Sequence, residues 1–122
     1  MRQVFLLIPA LIHVYIFVLE SLLWGKPRTN KAFGVNEEEA KTTKLMAFNQ
    51  GIYNLLLALG IVTGAILMFF PETAIAGKVL AIYGLGSIFV AGFALISSAP
   101  KLWRSALIQI VPATAGLVAA IV

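Results

Sequence analysis

Residues 3–24, QVFLLIPALIHVYIFVLESLLW, form an almost unbroken apolar run that also contains a histidine and a glutamate. A helix needs roughly 20 residues to cross a hydrocarbon core, so the run is long enough to span. Lipid offers no partner to open backbone groups, and the run does not alternate as a barrel strand would, so it reads as a helix. Three further windows share this character: residues 45–70, closed by Pro71, then 74–96, and 102–122. The expected fold is therefore an all-α membrane protein, with four transmembrane helices in a compact antiparallel bundle forming one domain over residues 1–122. The spans fall at about 3–24, 45–70, 74–96 and 102–122. The first is expected to be retained rather than cleaved as a signal peptide, because its apolar stretch is too long and no small-x-small site follows.

Composition points the same way. The 122 residues are 61% hydrophobic and only 11% charged, with a mean hydropathy of +0.98. Soluble domains carry roughly 25% charged residues, and so few charges could not clothe a soluble surface. There is no cysteine, which excludes disulfides, thiolate zinc sites, iron–sulfur clusters and a cysteine nucleophile. There is no aspartate and a single histidine, so a hydrolase triad is hard to assemble. One histidine and one intramembrane carboxylate make a poor metal site, and no metal or cofactor is expected. The net charge of +4 fits membrane topology better than nucleic-acid binding, because most basic residues sit at segment ends.

The loop of residues 25–44 is the one long connection. Gly25, Pro27, Thr29 and Asn30 predict turn and coil in its first half. In its second half, Asn36 and Glu39 have capping-box spacing and Glu37 to Glu39 suit a helix N-terminus. A polar helix is thus expected to run unbroken into the second span. Lys26, Arg28, Lys31, Lys41 and Lys44 lie in this loop, and Lys101 and Arg104 lie near the third. Under the positive-inside rule, loops 25–44 and 97–103 face the cytoplasm and both termini face outward. Trp24 and Trp103 fall at the same boundary.

The polar residues within the spans carry the functional signal. His13 and Glu20 are seven residues apart, on one helix face and about 10 Å apart along the axis, and Trp24 continues that stripe. The second span clusters Asn49, Gln50, Tyr53 and Asn54, the third offers Tyr83 and Ser87, and the fourth offers Gln109 and Thr114. Antiparallel depth sets Glu20 level with Asn49 and Gln50, and His13 nearer Tyr53 and Asn54. A charged carboxylate in a span costs at least about 2.5–3.5 kcal/mol. Glu20 should therefore hold a proton or receive hydrogen bonds from Gln50, Asn49 or Tyr53. One polar cavity centred on Glu20 would gather most of these side chains. Gly60 and Gly64, and the stripe of Gly77, Ala81, Gly84 and Ala91 beside Gly92, favour close helix contact within the bundle or between copies of the chain. Pro9 and Pro112 are expected to bend or unwind their helices.

The segments HVYIFVLESLLW (13–24), AFG (32–34) and NQGIYNLLLALG (49–60) give the chain a resemblance to a bacterial family of small membrane proteins, domain of unknown function 1304. The resemblance covers nearly the whole chain, and its signature falls on His13, Glu20, Trp24, Asn49, Gln50, Gly51, Tyr53 and Asn54 without departure. It implies a four-helix inner-membrane protein and brings no established activity. Three functional expectations remain open. The first is a transporter-like or small-ligand and lipid-binding protein, its partners being the lipid bilayer, a small hydrophobic or cationic ligand and a second copy of the chain. The second is a membrane-embedded enzyme using His13 and Glu20 as an acid–base pair on a lipidic substrate. The third is a structural or accessory subunit.

Overall fold

A computed structural model describes residues 2–122, and no strand occurs among them. Helix α1 covers Gln3–Phe17 and passes into a π-helical turn, Val18–Leu22. Two short helices follow, α2 (Pro27–Phe33) and α3 (Glu37–Thr42). Then come α4 (Lys44–Leu67), α5 (Ala74–Ser98) and α6 (Trp103–Ile121). The four long helical stretches are each long and apolar enough to cross a membrane.

Helix α1 packs on α4 and α6, and α5 packs on the same two helices from the other side. The bundle is therefore a closed ring in chain order. Its core draws Leu6 and Ala10 from α1, Ala58, Ile61 and Ala65 from α4, Ala81, Leu85 and Ile88 from α5, and Ala113 and Ala120 from α6. These positions lie toward the end of the bundle away from the long loop. There the helices meet almost backbone to backbone. A methyl group added at Gly77 would sit 2.6 Å from the Gly64 carbonyl, and one at Gly64 would sit 2.7 Å from the Gly77 carbonyl. Gly84 lets Ile61 approach in the same way. Gly60 has no comparable contact, its nearest neighbour being 4.0 Å away, so only Gly64 of the GxxxG pair serves this packing. On α5 the stripe continues through buried Gly92 rather than Ala91.

The two prolines do not unwind their helices: α1 runs on through Pro9 and α6 through Pro112. Pro9 has no N–H for the Phe5 carbonyl. Gly116 brings α6 close to that carbonyl, where an added methyl would stand 3.3 Å away. The unwinding occurs instead at the π turn, where the Leu23 N–H bonds the Val18 carbonyl five residues back.

The long loop is also more ordered than turn and coil. Pro27 occupies the first turn of α2, and Gly34 ends it in the left-handed conformation at φ 67°. The capping box at Asn36 and Glu39 is formed in both directions, at 2.8 and 3.0 Å. The polar helix does not run unbroken into the second span, because Thr43 leaves helical geometry (φ −104°, ψ 6°) between α3 and α4. The hydroxyls of Thr42 and Thr43 both donate to the Glu39 carbonyl, a backbone-directed bonding that loosens a helix at that point.

Candidate functional site

At the loop end the four spanning helices separate around a cavity of about 510 Å³. Helix α1 and the π turn contribute Ile12, Tyr15, Ile16, Leu19 and Glu20, and α4 contributes Gln50, Tyr53 and Asn54. Ala91 and Leu95 come from α5, and Ser105, Ile108 and Gln109 from α6. Leu102 just before α6 and Ala32 and Phe33 of α2 complete the wall, so the AFG step supplies two lining side chains and the glycine that ends their helix.

Among the described residues Glu20 is the one carboxylate in that wall, and no lysine, arginine or histidine shares it. It is only 6% exposed. The Asn54 amide donates to its Oε1 at 2.6 Å, and no other protein group among the described residues donates to the carboxylate. The donor is thus Asn54 rather than Asn49, Gln50 or Tyr53, one helical turn beyond Gln50. The π turn explains the difference, since its wider winding changes the direction in which Glu20 leaves the helix. Gly51 makes room for it. A methyl there would collide with the Ser21 hydroxyl and lie 3.0 Å from both the backbone nitrogen and the Cβ of Ser21, and that hydroxyl donates to the Phe48 carbonyl across the same contact at 2.9 Å. The glycine of NQG-x-YN therefore lets α4 meet the rewound segment, while the asparagine one turn later holds the carboxylate.

His13 is 1% exposed and stands outside the cavity wall. Its Nδ1 lies 3.0 Å from the Pro9 carbonyl. A carbonyl only accepts, so Nδ1 carries the hydrogen. Gln109 is within hydrogen-bonding reach of the same ring and also lines the cavity, so it is the link between the two.

Several expected site residues are placed elsewhere. Trp24 does not line the cavity. Its indole N–H donates to the Ala40 carbonyl at 2.9 Å, and its ring meets Phe33 edge-on at 5.1 Å, so it clamps α2 and α3 over the bundle end. Asn49 is exposed outside the wall. Tyr83 is 72% exposed, on the side of α5 away from its buried stripe. The Ser87 hydroxyl donates to the Tyr83 carbonyl within its own helix. Thr114 bonds Ile110 in the same way. Such self-contained bonds satisfy a hydroxyl without any partner across the bundle. Tyr15, Phe33 and Ser105 line the cavity but escaped the reading of polar spacing. Tyr15 and Phe33 look like ordinary apolar-run aromatics, and Ser105 looks like a helix-end polar residue.

A family model described as a protein of unknown function (DUF1304) matches residues 7–121. No curated protein and no solved structure matches the chain.

Proposed function

The chain belongs to the DUF1304 family, which is described as being of unknown function, and on that premise we propose that it binds a small hydrophobic or amphiphilic ligand within the membrane, as a carrier or transporter-like protein. The observation that supports this reading is the cavity of about 510 Å³ with Glu20 in its wall. Ligand sites commonly occupy about 300–1,000 Å³ and combine apolar walls with a few placed polar groups. A purely structural role would have the polar side chains saturate one another without leaving space. The acid–base reading loses its support because His13 lies outside the wall, bonded to Pro9.

The test is ligand retention. Chain purified in mild detergent is extracted and its bound small molecules are counted by mass spectrometry. Ser105→Phe, which fills the cavity from α6, should lose the bound species while keeping the wild-type helical circular-dichroism spectrum. Equal retention by the filled variant would sink the proposal.

In the same reading the protein sits in a bacterial inner membrane, with loops 25–44 and 97–103 cytoplasmic and both termini outside. The distribution of basic residues supports this orientation: Lys26, Arg28, Lys31, Lys41, Lys44, Lys101 and Arg104 lie toward the cavity end, against Arg2 and Lys78 at the other. The chain has no cysteine, so single cysteines report cleanly. In intact spheroplasts a membrane-impermeant maleimide should label Glu72→Cys and leave Lys31→Cys unlabelled until the cells are lysed. The reverse pattern inverts the orientation.

A further inference from the structure

We infer that the ligand is an organic cation with an apolar body, an amphiphilic amine or quaternary ammonium, seated with its charge against Glu20. The inference deepens the ligand-binding reading and rests on it. Three observations converge. Among the described residues Glu20 is the only ionisable acid or base in the wall apart from the phenols of Tyr15 and Tyr53, so an anionic group would enter a site with no counter-charge. The carboxylate receives a single protein hydrogen bond, on Oε1, which leaves Oε2 as an acceptor for the ligand. Three aromatic rings, Tyr15, Phe33 and Tyr53, stand in the same wall, and aromatic faces attract ammonium groups most strongly where water is scarce.

The remaining walls set the rest of the molecule. Ile12, Ile16, Leu95 and Ile108 offer apolar surface, which suits an alkyl or aryl body. A bare metal ion does not fit. Hard cations need six or more oxygen ligands, and one carboxylate with a few amide oxygens in an apolar chamber of this volume does not supply them. The charge could come from a lipid amine headgroup or from a free amphiphile, and the two share the same docking chemistry.

The experiment uses the full chain in nanodiscs of phosphatidylglycerol, a lipid without an amine, with empty nanodiscs subtracted. Radiolabelled decyltrimethylammonium, 1-decanol and decanesulfonate serve as cationic, neutral and anionic probes of one chain length. Saturable binding of decyltrimethylammonium is expected at one per chain, with decanesulfonate unbound. Glu20→Gln, which keeps an oxygen for Asn54, should weaken the cation about tenfold or more and leave 1-decanol unchanged. Tyr53→Leu lies at an exposed position that tolerates change, and it should weaken the cation about threefold to tenfold. It keeps the test decisive should Glu20→Gln fail to fold. Competition by added phosphatidylethanolamine identifies the lipid headgroup as the source of the charge, and its absence identifies a free amphiphile. Equal binding of 1-decanol and the cation, indifferent to both substitutions, overturns the cation assignment while leaving the cavity a ligand site. Absence of saturable binding by all three probes overturns both.

Discussion

Asn54 holds Glu20 at the cavity wall through a single short bond, so the pair can be weighed by removing either side. Asn54→Leu leaves a buried carboxylate without its donor, which should cost about 1–3 kcal/mol. Replacing both partners, with Glu20→Leu added, should recover most of that loss, because two apolar groups leave nothing unsatisfied. Reversible unfolding in mixed detergent and SDS micelles measures each step, and an unchanged midpoint for Asn54→Leu would show that the bond carries no weight. That Glu20 would meet the polar cluster of the second span was readable from depth along two antiparallel helices. Which asparagine it meets was not, because nothing in VLESL announces a π turn rather than an α turn. Tyr83 and Ser87 mislead for the opposite reason. Their spacing of four resembles a site, but a serine at that spacing bonds its own helix.

In the long loop the capping box at Asn36 and Glu39 was readable, whereas helix α2 and the break at Thr43 were not. Helix α2 has only seven residues, too few to persist alone in water. It forms because Trp24 meets Phe33 edge-on and because Trp24 ties it to α3 through the Ala40 carbonyl. Losing one such hydrogen bond and one aromatic pair amounts to about 1–2 kcal/mol. Trp24→Leu should therefore speed amide exchange across residues 27–36 about tenfold, read by hydrogen–deuterium exchange mass spectrometry, with the α4–α5 contact unaffected. Exchange unchanged from wild type would mean that the clamp is not what orders α2. Trp24 was expected at the membrane boundary as part of the polar stripe. Its place in the fold follows from a partner sixteen residues away that no periodicity reveals.

Across the whole molecule, four apolar runs were enough to read a bundle of four helices, while its ring order and the place where Gly64 and Gly77 close it tightest came only with the tertiary fold. The cavity at the other end was readable only as a polar cluster, since α2, Phe33 and Ser105 reach it through the tertiary fold. Gly77→Leu should be among the most damaging single changes, because its side chain would run into the Gly64 carbonyl, the Leu67 Cβ and the Met68 nitrogen, none of which can swing aside. Overpacking of this kind costs about 1–3 kcal/mol or more, measurable as an earlier unfolding midpoint in SDS, and a midpoint equal to wild type would show that the two backbones can part freely. The same leucine at Ala91, on the same helix, enters open space at the cavity wall. Tolerance to added volume therefore differs along α5, from little where Gly77 meets Gly64 to ample at Ala91 in the cavity wall. A change of ligand size can be accommodated at the Ala91 face of the cavity without disturbing the glycine contacts that close the bundle.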